Sequence, residues 1–312
     1  MVVAFCGVLI MKRDHFIGVG VGWGAQIGGC QDGPRALLED PFFKGKSTRH
    51  IATRRCVSKG ALSLEERMEE VEWVNRALSD LVLHAFVEGE RPCILGGDHS
   101  IAVGTWNGVR RAINDDIGLL WIDAHMDSHT FETTPSNAPH GMPLAGLLGY
   151  GDTRMSKLNG PDPVLNPEHV CLIGTRSYEE GEAELLNRLG VRVIEADEVL
   201  DRGAFACIEE GLSIAGKASG GFGVSFDLDV FDPTDAPGVG SDEPGGLNKE
   251  NLFDALPILF SDERFLALEL VEYNPGLDKD EKTKKLAIQL LTLMGLCDQE
   301  FFPGVASHSA FA

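Results

Sequence analysis

Gly118-Leu119-Leu120-Trp121-Ile122-Asp123-Ala124-His125-Met126-Asp127 runs from an uninterrupted apolar stretch straight into acid and imidazole. An apolar run this short, with no polar alternation, is the pattern of a strand buried on both faces of a parallel sheet. The polar residues fall where such a strand ends, and in an open α/β sheet the ligand crevice lies at that carboxyl edge. The same pattern recurs twice. Cys93-Ile94-Leu95-Gly96 leads into Gly97-Asp98-His99-Ser100, and Phe222-Gly223-Val224-Ser225-Phe226 leads into Asp227-Leu228-Asp229-Val230-Phe231-Asp232-Pro233.

Working outward, the sequence predicts strands over 16–22, 93–96, 118–123, 169–174, 191–194, 221–227 and 265–271, with 50–53 a weaker candidate. Helical patterns lie between them at 63–88, 100–114, 178–189, 204–215, 249–260 and 282–298. The clearest is 63–88, where Met68, Val71, Val74, Leu78, Leu81 and Phe86 recur at roughly helical spacing and Ser63 with Glu66 forms a capping-box signature. This alternation predicts an α/β fold: a mostly parallel sheet of about eight strands with helices on both faces. No Pro- or Ser-rich linker and no internal repeat divides the chain, so residues 1–312 read as one domain. Two polar stretches, 127–141 and 232–246, begin close to the ends of predicted strands and are candidate site loops.

The chain has 312 residues, 43% of them hydrophobic and 24% charged, the profile of a soluble globular protein. A net charge of -21 at pH 7 argues against nucleic acid or an anionic membrane as partner. Most of that charge serves solubility, though it is compatible with a cationic substrate. Seven cysteines, an odd number with no CxxC pair, point to buried free thiols in a reducing, cytoplasmic compartment. No apolar stretch is long enough to span a membrane. Residues 1–11 are apolar but precede their basic residues, Lys12 and Arg13, the reverse of a signal peptide, and read as a strand or ordered tail. The tail after Phe302 reads as short and unstructured.

Asp123, His125 and Asp127 stand at i, i+2 and i+4, which in extended chain puts all three on one side; Asp227 and Asp229 repeat the i, i+2 spacing. His99 follows a Gly-Gly-Asp turn. A lone His or Asp at a strand end is usually a cap or a loop residue. Three such clusters, each closing a predicted strand, point instead to a metal centre, because imidazole and carboxylate together suit divalent first-row metals. Four carboxylates bring a charge of about -4, which two divalent ions would bring near neutrality.

These three segments resemble the signatures of the arginase–agmatinase (ureohydrolase) superfamily. Most of the chain shares the resemblance: Gly28 to Pro34 followed by a short helix, Ile173-Gly174-Thr175-Arg176, Gly238-Val239-Gly240-Ser241, Gly245-Gly246-Leu247 and Glu272-Tyr273-Asn274-Pro275. His140-Gly141-Met142-Pro143 is closer to the arginase branch than to the agmatinase branch. The resemblance implies two Mn²⁺ ions. His99 and Asp127 would hold one and His125 and Asp229 the other, with Asp123 and Asp227 shared. Asp98 and Asp232 are left as turn caps.

It also implies hydrolysis of a guanidinium group through a hydroxide shared by the two ions. Asp127 would carry the proton, His140 would shuttle it, and Glu272 would pair with the guanidinium. The resemblance places Ser241 near the guanidinium, assigns Thr134 and Ser136 to the substrate carboxylate and Glu179, with Glu182 nearby, to its amino group, and places His129 and Ala138 where arginases usually have asparagine. Ala138 has no side-chain donor, whereas His129 could donate to a carboxylate. The expected partner is thus a small cationic guanidino compound. L-arginine, giving L-ornithine and urea, is the first expectation; agmatine, guanidinobutyrate and N-formimidoylglutamate are alternatives. A non-catalytic metal-binding scaffold is a third reading, disfavoured because all six ligand positions are filled. A homo-oligomer, trimer or hexamer, is expected from the resemblance.

Overall fold

The computed structural model describes residues 13–55 and 62–301, and the backbone alone over 296–301. The N-terminal apolar segment, the tail after Phe302, Cys6 and Cys56 lie outside the described residues. Eight strands form one sheet: β1 (Asp14–Gly20), β2 (Ser47–Ala52), β3 (Arg91–Gly96), β4 (Gly118–Ile122), β5 (Val170–Thr175), β6 (Arg192–Glu195), β7 (Phe222–Asp227) and β8 (Phe265–Val271). Their order is β2-β1-β3-β8-β7-β4-β5-β6, and every pair is parallel. The protein is a single α/β domain, as the alternation of runs predicts.

The two-residue side-chain period divides the strands between two cores. Phe16, Leu120, Ile173, Val224 and Leu268 enter the cluster beneath the helices Gly33–Leu38, Ala204–Ala215 and Lys282–Phe301. Their chain neighbours Ile17, Leu119, Trp121, Leu172 and Ala267 enter the other, beneath Leu64–Val87, Ala102–Ile113 and Glu180–Leu189. The helix Leu64–Val87 starts with the predicted capping box between Ser63 and Glu66.

The differences from expectation have local causes. The pattern over 249–260 is two helices, Lys249–Ala255 and Pro257–Phe260, because Pro257 cannot continue the backbone ladder. The helix Ala196–Arg202 was not expected. The weak candidate at 50–53 is the edge strand β2, which pairs only with β1; four of its six residues are exposed, so it lacks the apolar signature of the inner strands. Cys30, Cys93, Cys171 and Cys207 are buried. Among the described residues no helix is long and apolar enough to cross a membrane.

Gly97 shows what the Gly-Gly-Asp turn requires. The chain leaving β3 passes so close to β1 that Gly97 N donates to Val19 O at 2.8 Å and Asp98 N to Val21 O at 2.9 Å. A Cβ on Gly97 would lie 1.8 Å from Val21 O, a backbone atom that cannot swing aside. Gly97→Ala is therefore expected to destabilise the fold by about 3 kcal/mol or more, read as a lower urea midpoint. An unchanged midpoint would show that β1 and β3 can separate without loss.

Candidate metal centre and active-site cavity

Four adjacent strands of the sheet, in the order β3-β8-β7-β4, deliver the candidate residues at their carboxyl ends. From β3 comes His99, 1% exposed. Its Nδ1 faces three carboxylate oxygens: Asp127 Oδ2 at 3.0 Å, Asp123 Oδ2 at 3.1 Å and Asp227 Oδ2 at 3.2 Å. Beside this group Asp229 Oδ2 stands 3.0 Å and Asp123 Oδ1 3.5 Å from His125 Nδ1. Two clusters able to hold a metal ion result, His99–Asp123–Asp227 and Asp123–His125–Asp229, with Asp123 common to both.

The clusters converge by turns rather than by the expected alternation of extended chain. Asp227 caps a 3-10 turn, Leu228–Val230, by accepting from Asp229 N at 2.9 Å, and the turn swings Asp229 back beside it. Asp127 sits at φ 46, a left-handed conformation uncommon for a side-chain-bearing residue. Glu272, at φ 66 just past β8, does the same. Such conformations persist where the surroundings over-determine them, commonly at functional sites.

The donor set fits a metal ion. Ser225 Oγ donates to Glu269 Oε1 at 2.8 Å and lies 2.8 Å from His99 Nε2, so the hydroxyl accepts the Nε2 proton. In the neutral ring Nδ1 then carries a lone pair. It is buried, makes no hydrogen bond, and points at three carboxylates. Only a proton or a metal ion placed between them relieves that arrangement. The acidities agree. Burial, then the charges of Asp229 and Asp123, hold Asp227 well above the usual carboxylate range. Burial lifts Asp229 to about 6, against the pull of His125. His99 is raised, burial notwithstanding, by the carboxylates of Asp123, Asp127 and Asp227 that face its Nδ1.

Sequence reading missed the residues that aim His99. Glu269 is fully buried in the apolar run of β8 and also accepts from Thr105 Oγ1. Trp121 stacks on the imidazole, ring centroids 4.1 Å apart, and its Nε1 donates to Asp123 Oδ2 at 2.8 Å. A lone acid inside a buried strand was the available signal for Glu269. Glu269→Gln can donate back to Ser225 and so disturb the tautomer of His99. Metal affinity is expected to fall about 10–100-fold, read by competition with a chelating dye. Unchanged affinity would reduce Glu269 to a packing role.

Asp98 and Asp232 act as turn caps. Asp98 accepts from Gly24 N at 2.7 Å and Ser100 N at 3.1 Å; Asp232 accepts from Thr234 N at 3.0 Å and Gly245 N at 3.1 Å.

Above the clusters opens a cavity of about 300 Å³. His125, Asp127, Asp227 and Asp229 line it, together with His140, Glu272, His129, Ser136, Glu179, Glu182, Ser241 and Glu243. No lysine or arginine lines it among the described residues. Glu272 Oε1 accepts from His99 N at 2.9 Å and lies 3.0 Å from His140 Nδ1. Burial disfavours the charged form of His140, but the hydrogen bond and charge of Glu272 outweigh it and raise the pKa.

His129 faces two acids of the protein. Its Nε2 lies 2.7 Å from Glu179 Oε2 and 3.2 Å from Glu182 Oε2. Burial pushes Glu182 up to about 8, offset only in part by the backbone donors of Glu179 and Ser128. Thr134 is not on the cavity wall; its hydroxyl accepts from Asn137 N at 3.1 Å. Ala138 is buried off the cavity, with its backbone N on Ser136 Oγ at 3.2 Å.

The profile of the arginase family matches residues 13–296. The arginase of Bacillus caldovelox is 39% identical over 291 residues, covering 90% of this chain and 97% of that protein. The Bacillus cereus arginase structure superposes with a TM-score of 0.83 at 33% identity, over 91% of this chain and 98% of that one. Entamoeba histolytica arginase, solved in complex with L-ornithine, gives 0.83 at 27% identity, over 91% and 99%. A family match over nearly all the described chain, relatives of this identity and the same sheet show that the protein belongs to the arginase family of ureohydrolases, which act on carbon–nitrogen bonds.

Proposed function

We propose that the protein is a manganese-dependent enzyme that hydrolyses the guanidinium group of L-arginine to L-ornithine and urea. The observation that carries this reading is His99 Nδ1, buried and unpartnered before three carboxylates beneath an acidic cavity. In this reading His99, Asp123, Asp127 and Asp227 hold one ion, and His125 and Asp229, with the same Asp123 and Asp227, hold the second. When bound, the ions would lower the pKa of a water and so supply a nucleophile at neutral pH.

The chain's own groups do the rest. Glu272 Oε1 is engaged by His99 N and His140, while Oε2 has no partner among the described residues and is available to orient the guanidinium. Asp127 borders the cavity and takes the proton released as the water attacks. His140, held by Glu272 and raised in pKa, supplies a proton to the leaving amine, which cannot depart as an anion. Ser136 and Ser241 offer hydroxyls to the remainder of the substrate. Arginine is favoured as substrate by relatives that are named arginases.

The test is a kcat/KM panel on Mn²⁺-loaded protein with L-arginine, agmatine, 4-guanidinobutyrate and N-formimidoylglutamate. L-arginine is expected to give the highest value. A higher value for another compound would replace arginine as the substrate, and no turnover of any would sink the ureohydrolase reading.

A further inference from the structure

Glu179 and Glu182 are largely engaged within the protein. Beyond His129, Glu182 accepts from Ser128 N at 3.1 Å through Oε1 and from Glu179 N at 3.0 Å through Oε2. A ligand ammonium reaching this pair would compete with an imidazole already in place.

Glu243 differs. Its carboxylate takes one bond, from Ser177 Oγ to Oε1 at 3.0 Å, and Oε2 has no partner among the described residues. Its backbone is nonetheless clamped. The Arg176 guanidinium donates to the carbonyls of Glu243 at 2.8 Å, Pro244 at 3.2 Å and Asp229 at 2.8 Å. Arg176 N is itself fixed on Ala124 O at 2.8 Å. One residue thus ties the loop carrying Glu243 to both turns that form the second cluster, to Asp229 by its side chain and to Ala124 by its backbone. A carboxylate oxygen left open, on a fixed backbone, in a cavity without lysine or arginine, is a built acceptor for a cation.

We propose that Glu243 is a specificity-determining residue that receives the distal ammonium of the substrate. The proposal rests on the guanidinium-hydrolysis reading and adds a substrate class: guanidino compounds with a second positive group at the far end, as in an α-amino acid or its decarboxylated amine. Glu243 was not singled out by its sequence, since nothing local marks one acid of a Pro- and Gly-rich loop as facing a cavity.

Glu243→Gln keeps the shape and the bond from Ser177 while removing the charge. In the Mn²⁺-loaded enzyme it is expected to raise KM for L-arginine about tenfold with kcat within about twofold. KM for 4-guanidinobutyrate, which lacks the ammonium, is expected to stay within about twofold. In a His129→Asn background, where Glu179 and Glu182 are released, the same substitution is expected to raise the arginine KM less. An arginine KM unmoved by Glu243→Gln, or an equal rise for 4-guanidinobutyrate, would overturn the proposal. Calorimetric binding of L-ornithine separates the two claims. Tenfold weaker binding to the variant, with no turnover by the wild type, supports Glu243 and sinks the hydrolase reading; equal binding with normal turnover does the reverse.

Discussion

Asp227→Ala is expected to lower guanidinium hydrolysis by at least about a thousandfold and to deplete bound manganese. The residue sits at the junction of the clusters. Its Oδ2 lies 3.2 Å from His99 Nδ1, and its Oδ1 accepts from Asp229 N at 2.9 Å, holding the turn that brings Asp229 to His125. Removing the carboxylate takes a ligand from both proposed ions and releases the turn that positions a third. Asp232→Ala, in the same acidic motif, is the control. Its carboxylate accepts from Thr234 and Gly245 and faces no metal cluster, so the loss should be about 1 kcal/mol of stability, with metal content unchanged. Elemental analysis and urea release on both variants decide the matter. Asp227→Ala retaining wild-type manganese and more than about 1% of the activity would remove the assignment of this centre.

The two variants also mark how far the sequence could be read. Asp227 and Asp232 are both aspartates following one apolar run, and only the position at a strand end, repeated three times along the chain, singles out the ligands. That repetition is local and therefore legible. The way the ligands meet is not. Extended alternation predicts one face, whereas the chain turns at Leu228–Val230 and at the left-handed Asp127, both decided by tertiary fit. Strands buried on both faces announced themselves by apolar runs. The edge strand β2 did so weakly, because five of its residues are not buried. His129 is the sharpest case. The residue type allows donation to a carboxylate of either the substrate or the protein. Only the approach of Glu179, fifty positions away, decides for the protein. Ser177 and Glu243 meet across a similar separation, 66 positions. What stayed hidden is thus mainly long-range pairing of polar side chains, which has no periodic signature.

The metal-free protein is expected to lose more stability than the manganese-loaded protein as pH rises from about 5 to 8. Asp229 is lifted from 3.8 to about 6 and Glu182 from 4.5 to about 8; Asp127, Asp227 and Glu269 are raised as well, burial being the first cause in each. His99, His125 and His140 are raised too, their carboxylate partners outweighing burial. For every one of these groups the folded state binds protons more tightly than the unfolded chain. Their stabilisation is complete below the unfolded pKa and disappears as pH passes the folded one. Asp123, Glu179 and Glu272 are lowered and titrate below this window. For Asp229 alone the loss is about 3 kcal/mol over the whole titration, roughly half of it above pH 5. Bound manganese reverses the sign, because it needs the ligands deprotonated and its affinity rises with pH. His15 and His50, lowered by burial away from the site, act equally on both forms and cancel in the difference. The Tm of chelator-treated protein should therefore fall by roughly 5–10 °C from pH 5 to 8, and the gap to the manganese-loaded Tm should widen over the same range. A gap that stays constant would mean that the buried acids are not the ones the metal neutralises.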